Sequence, residues 1–419
     1  MDMQIETPVQ TTSKVTPDVL SAIIATSAAR AAFYVLLNAF IAYQYEAATG
    51  FAPARMQGLV TLAILITLIR PFLGMINDAH PIGKYRRKNF MLLGNALYVA
   101  SITMLLMLPN PATLGGLLGL AGAFLIYGTA EAILDVGTDS LCLDLAATQS
   151  EKNRIKAMAR VGAIGGLIIA YAAGALLIGL YWVWFLIAIA AMIIVGNILT
   201  ARINEPPITR EQVVQQVRAE RLTIPASYKQ TLLIMGILML LTALGEGLVN
   251  VQLEPYLIGR YGNEATQFYF TEVSGAVIAF GAVAGIAASR RAMSGNLSRL
   301  IIPSAIAIIA FYTCLPWLAP DLFAYFVWVT IKGTGAMLFT LAVDRLLMDV
   351  VKGARKGSTY QIFTWFTTGG GVIGTSVGAV LGAVMPFEAL LVLVGIVDAA
   401  ALVMYLLVLG PRLTRELRT

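Results

Sequence analysis

Apolar residues in this chain come in long, nearly unbroken stretches separated by short polar connections. About twenty apolar residues cross a bilayer as a helix. Twelve stretches of roughly that length fall at 19–43, 54–76, 89–108, 114–141, 157–179, 182–201, 231–252, 270–289, 299–318, 322–348, 358–384 and 388–410. Several are punctuated by Gly, which bilayer helices use for close packing. The longest polar stretch, 202–229, divides the runs into two sets of six. The pattern therefore predicts an all-α membrane protein of twelve transmembrane helices in two six-helix pseudo-symmetric bundles, 19–201 and 230–410. Residues 1–18 form a cytoplasmic segment, 202–229 a linker and 411–419 a cytoplasmic tail. Within the linker, the polar run Thr209 to Arg221 is expected to form a surface helix.

Composition strengthens the membrane reading. Hydrophobic residues make up 58% of the 419 and charged residues only 12%, about half the share in soluble domains. Lipid accepts that much apolar surface when every backbone amide is satisfied within its own segment, which requires helices.

The few charges fix an orientation. With a cytoplasmic N-terminus, only Arg55 and Arg260 fall on outer connections, and Arg30, Arg70, Lys332 and Arg345 lie within runs. All other Lys and Arg residues fall on inner segments, as the positive-inside rule requires. The expected location is the cell (inner) membrane with both termini cytoplasmic. The net charge of +6 is accordingly a topology signal and not a nucleic-acid footprint. The first eighteen residues are polar and include acids, unlike a cleavable signal peptide. Cys142, Cys314 and the single histidine, His80, have no ligand-like spacing, so neither a disulfide, a metal site nor a cofactor is expected.

The halves are related in sequence. Residues 128–145 read GTAEAILDVGTDSLCLDL and residues 333–350 read GTGAMLFTLAVDRLLMDV. At an offset of 205, Gly128, Thr129, Asp139 and Asp144 match Gly333, Thr334, Asp344 and Asp349. The same offset carries Gly165 and Gly166 onto Gly370 and Gly371. Parallel repeats of this kind mark one class of secondary transporters, with the substrate site between the halves.

Charges inside the membrane cost about 2.5–3.5 kcal/mol each on insertion scales, so they face a partner or a watery cavity. Glu131, Asp135 and Asp139 recur every four residues along one helix face. The repeat sorts the acids. Asp139, Asp144, Asp344 and Asp349 occur in both halves near the inner ends of their runs. They are expected to form an inner gate with loop arginines such as Arg86, Arg87, Arg290 and Arg291. Glu131 and Asp135 align with Ala336 and Thr340, and Lys332 aligns with Tyr127, so these charges are unique to their halves. With Arg30 and Glu246 they are the candidates for substrate binding or proton coupling, since a desolvated carboxylate beside a movable cation can gain and lose a proton. Mutual neutralisation as helix-to-helix glue is the alternative for each of them.

The connection after the second run reads RPFLGMINDAHPIGKYRRK over 70–88. Its Gly74, Asp78, Arg86 and Arg87 resemble the Gly-x-x-x-Asp and clustered arginines of the major facilitator superfamily. Pro81, Ile82, Tyr85, Arg86 and Arg87 look more specifically like the folate–biopterin transporter branch. Asp135, Asp139 and Asp144 are similar to the acids that this branch and the muropeptide permease carry at the same place. The resemblance implies alternating access, with Gly74, Asp78, Arg86 and Arg87 in the inner gate.

The leading expectation is a secondary transporter for a small anionic or zwitterionic organic solute, driven by protons or another coupling ion. No nucleotide-binding segment is present, and Gly369–Gly371 follow no strand and precede no Lys-Ser/Thr. A second reading comes from His80, Arg86 and Arg87, which resemble the superfamily's bacteriochlorophyll-complex assembly proteins. That would make the chain an assembly factor for a pigment–protein complex. An enzyme is not expected, for no nucleophile–base pair or metal spacing occurs.

Overall fold

The computed structural model describes residues 15–35, 65–108, 113–146, 148–177, 182–213, 226–262, 298–351 and 356–411, with isolated positions at 215, 280, 281, 283, 284 and 287. Most of the run at 270–289, the parts of 19–43 beyond Val35 and of 54–76 before Leu65, and Arg290 and Arg291 lie outside the described residues. So does most of the polar run from Thr209.

The described chain is helical. Its helices are α1 (Pro17–Val35), α2 (Arg70–Ala79), α3 (Lys88–Leu106), α4 (Leu114–Leu145), α5 (Gln149–Leu177), α6 (Trp182–Arg202), α7 (Ala226–Tyr261), α8 (Ser298–Leu318), α9 (Leu322–Val350), α10 (Lys356–Leu381) and α11 (Phe387–Met404). A π-helical turn, Tyr405–Leu409, continues α11. Among the described residues, eight helices are long and apolar enough to cross a membrane: α1, α3, α4, α6, α7, α8, α9 and α11 with its π turn.

Several elements overrun the hydrophobic runs because polar caps extend them. α5 begins at Gln149, not near 157. Thr148 and Glu151 there exchange side-chain-to-amide hydrogen bonds of 3.1 and 3.2 Å, a capping box that satisfies two amides of the first turn. Thr113 caps α4 and Asp321 caps α9 in the same sense. Thr209 and Gln212 form another such box at 2.9 and 3.3 Å, and residues 210–213 are helical there.

The second run is interrupted. Residues 65–67 are helical, Leu68 and Ile69 form a turn, and α2 starts at Arg70. Pro71 explains the break: it has no amide to donate, and its ring collides with the carbonyl four residues back.

Helices of the first half pack chiefly on one another, α1 on α5 and α6, and α3 on α4 and α6. Those of the second half do the same, α7 on α10 and α11, and α8 on α9 and α11. The largest apolar cluster, including Phe33, Tyr98, Phe124 and Phe185, lies in the first half; one around Tyr325 lies in the second, and one around Leu347 adds Leu143 of α4 to second-half residues. Across the halves α2 and α4 meet α10, and α5 meets α9.

The α1–α5 and α7–α10 contacts are equivalents. A Cβ on Gly166 would collide with the carbonyl oxygen of Ala28, and one on Gly370 with that of Leu240. Gly165 and Gly371 have nothing within 4 Å. The packing roles therefore match at Gly166 and Gly370, one residue away from the 205-residue register that pairs Gly165 with Gly370.

Candidate functional site

Three groups of charged residues occupy the described helices. The first is built on Arg30, five residues before the end of α1. Its guanidinium bonds both oxygens of Glu131 on α4, one of them from Nε at 3.1 Å, and also pairs with Asp135 one turn further along. Glu131 and Asp135 stand four residues apart, so one helix face presents both to the same cation. Arg70 reaches the other Asp135 oxygen at 2.5 Å and extends 3.4 Å to the Thr368 hydroxyl on α10, in the second half. The Tyr98 hydroxyl donates to Glu131. Tyr98, Tyr127 and Phe33 surround that bond, with ring centroids 5.3–5.5 Å apart. Two cations thus face two carboxylates, and the chain of contacts ends on the other half.

The second group lies where the basic connections cluster, here termed the basic end. The loop between α2 and α3 carries a tight turn, with an antiparallel bridge between Ile82 and Tyr85 and Gly83 at φ +66°. The turn folds the chain back, so that Arg86 and Arg87 return to Asp78 despite the long spacing between them. Arg87 is fully buried and joins Asp78 at 2.7 Å to Asp144 at 2.6 Å. Arg86 donates to the Asp78 carbonyl at 2.7 Å. Lys356, at the start of α10, reaches Asp144 at 2.9 Å and the Leu143 carbonyl at 2.7 Å.

Glu205, beyond α6, accepts from the amides of Arg86, Arg87 and Lys88 at 3.1, 2.9 and 2.7 Å and so closes the N-terminus of α3. In return, the Lys88 ammonium donates to the carbonyls of Ala201 and Ile203 at the end of α6. Burial pushes the Glu205 carboxyl up from its usual value, and the amide bonds pull against it. Burial, with Arg87 adjacent, lowers Arg86. Burial acts downward on Arg87 too, but Asp144 and Asp78 outweigh it and hold that guanidinium above its ordinary value.

The remaining gate candidates meet nearby through partners the sequence did not single out. Asp139 pairs with Lys156 on α5 and accepts from Gln361 on α10 at 3.1 Å. Asp344 accepts from Arg160 at 3.1 Å and from the Tyr360 hydroxyl at 3.2 Å, and Lys156 donates to that hydroxyl at 3.1 Å. Among the described residues, the cations holding Asp139 and Asp344 are therefore Lys156 and Arg160 of α5, seven and eleven residues beyond its start, and not Arg86 or Arg87. Asp144 does take Arg87, as expected. The side chain of Asp349 lies outside the described residues.

The third group is in the second half. Lys332 on α9 bonds Glu246 on α7 at 3.0 Å and lies over the rings of Phe311 and Tyr312 at 5.6 and 5.0 Å. The five coupling candidates thus separate into Arg30 with Glu131 and Asp135, and Lys332 with Glu246. Sequence reasoning passed over Arg70 and Asp398 as site residues. Both are charges inside apolar runs, the signal that identified the others. Among the described residues, no group of His, Cys, Asp and Glu is arranged to hold a metal ion.

Residues 22–387 match the family described as MFS/sugar transport protein, and the chain belongs to that family. With its apolar helices, this makes it an integral membrane protein. It is similar to a folate-biopterin transporter of Synechocystis sp., at 27% identity over 200 residues. That match covers 43% of this chain and 38% of the relative, well under two thirds of its length. The major facilitator resemblance is thereby met, and the likeness to the folate–biopterin branch is met as similarity to one of its members.

The fold is similar to that of a bacterial homologue of the iron transporter ferroportin in an outward-facing state, with a TM-score of 0.68 at 14% identity over 93% of this chain and 97% of the other. It is also similar to that of the human organic anion transporter MFSD10, with a TM-score of 0.70 at 14% identity over 93% and 99%. These likenesses establish an all-helical major-facilitator-type fold.

Proposed function

We propose that the protein is a secondary transporter of twelve helices in two six-helix bundles, moving a small organic anion or zwitterion by alternating access with proton coupling. The carrying observation is the shared position of Asp135, held by Arg30 on one side and Arg70 on the other, with Arg70 extending to Thr368 of the second half. A carboxylate of the solute competes with Asp135 for these guanidiniums, which are suited to bidentate recognition of carboxylates. Once displaced, Asp135 loses the cations that favour its charged form, and desolvation then favours proton uptake. Solute and proton thereby enter together, and the link from Arg70 to α10 makes the event felt across the halves.

The basic end is read as cytoplasmic by the positive-inside rule. There Asp78, Asp139, Asp144 and Asp344 take part in contacts between the halves, which supports reading them as an inner gate. Gly74 belongs to the same gate, and Asp349 is assigned to it by the repeat alone. The name of the Synechocystis relative and that of MFSD10 support an organic anion as cargo.

The test is uptake into liposomes containing the purified full chain, with an imposed proton gradient and a pool of radiolabelled organic anions. The proposal expects gradient-dependent uptake that Asp135→Asn abolishes while the variant remains folded. Uptake equal in the variant, or indifferent to the gradient, contradicts the coupling role.

A further inference from the structure

Asp398 takes no part in the three groups as paired above. It lies on α11 with 8% exposure, and makes no hydrogen bond or ion pair among the described residues. An acid at such a position faces a partner or a cavity. Asp398 faces a cavity of about 210 Å³ enclosed mainly by α7, α8, α9 and α11.

Charge in that cavity is unbalanced. Glu246 and Lys332 line it and neutralise each other at 3.0 Å. Asp344 also lines it and is held by Arg160. Asp398 is the carboxylate left over. Tyr312, also at the cavity, is buried beside Lys332, whose ammonium lies 5.0 Å from its ring centroid. Elsewhere the wall is mostly apolar, with Ile301, Ile308 and Phe339 among its residues. At Gly245 the α7 backbone comes so close that an added Cβ would lie 2.9 Å from Asp398 Oδ1.

We propose that this cavity is a ligand site distinct from the Arg30 group, taking the ammonium of a small amine with an apolar body. Asp398 supplies the counter-charge, and the apolar wall faces the body. Pockets of this kind, apolar with a few convergent polar groups, suit small organic ligands. An anion would meet the uncompensated carboxylate, and a hard metal cation needs several oxygen ligands converging on one point, an arrangement absent among the described residues. Binding here is an equilibrium property and does not depend on the transport reading, so either can fail alone.

The test is isothermal titration calorimetry on the full chain in lipid nanodiscs, with 2-phenylethylamine as probe and neutral 2-phenylethanol as its shape-matched control. The expected result is saturable binding of the amine, one per chain, with little binding of the alcohol. Asp398→Asn weakens the amine at least about tenfold, the loss of one charge-assisted contact, while Asp398→Glu retains measurable affinity. Ala336→Phe, which fills the cavity without touching the charge, abolishes binding and serves should the Asp398 variants fail to fold. Equal affinity for amine and alcohol, heat that Ala336→Phe leaves unchanged, or saturation by sodium chloride with none by the amine overturns the proposal.

Discussion

Asp78 accepts a hydrogen bond from the backbone amide of Ser358 at 2.6 Å, joining residues 280 positions apart in the chain. Ser358 lies in the first turn of α10, where amides lack intrahelical partners and the helix dipole favours a negative charge. The other Asp78 oxygen lies 2.7 Å from Arg87. One carboxylate therefore holds its own loop and the start of a helix in the other half. Most apolar burial lies within each half, with Leu143 of α4 joining the cluster around Leu347.

Gly74 gives α10 room to approach. A Cβ there would stand 2.9 Å from the Ser358 Cα and 3.3 Å from the Gln361 side chain. Gly74→Leu is expected to push α10 away at the basic end while leaving the fold intact. Native Cys142, buried near that end of α4, is the reporter. In a Cys314→Ser background, a membrane-impermeant maleimide should label it several-fold faster in the variant, and unchanged labelling would dissociate Gly74 from the closure.

Arg87 is the costliest loop residue to remove. Its guanidinium is fully buried between Asp78 and Asp144, and deleting one partner of a buried ionic group costs about 3–5 kcal/mol. Arg87→Ala leaves both carboxylates facing each other, and should lower the apparent unfolding temperature more than Arg86→Ala does. A ranking in the opposite order, measured by thermal unfolding in nanodiscs, would refute this account of the loop.

Glu205 serves three amides at the start of α3. Glu205→Ala leaves them without an acceptor, at about 1–3 kcal/mol for each buried donor that water does not reach. Glu205→Gln keeps an acceptor oxygen and should lose less. Hydrogen exchange at Arg86, Arg87 and Lys88 reports the effect locally, with faster exchange expected in the alanine variant.

The helices were legible because lipid imposes one rule on every segment, so the stretches at 89–108, 182–201, 299–318 and 322–348 coincide with α3, α6, α8 and α9 to within a few residues. The capped ends were less legible, since polar residues such as Gln149 and Glu151 extend α5 beyond the apolar signal. Residue types at the candidate site were readable for a related reason: a charge in an apolar run stands out. Pairing was not readable. Nothing in the order of residues says that Lys156 and not a loop arginine meets Asp139, or that Lys332 turns to Glu246 and away from Glu131. These depend on helix rotation and crossing, which the apolar pattern leaves open. Asp398 was missed although it is the same kind of signal as Glu246.

The proposed function requires the basic end to act as a gate that opens when its contacts between the halves are released. Double electron–electron resonance across that end measures it, with spin labels at the exposed positions Lys84 and Pro411 in a chain lacking Cys142 and Cys314. The wild-type background should show one dominant short distance. Asp78→Asn, which weakens the bond to Ser358 and removes the charge opposite Arg87, should transfer population to a longer distance while circular dichroism stays helical. Identical distance distributions in the two proteins would contradict the gate.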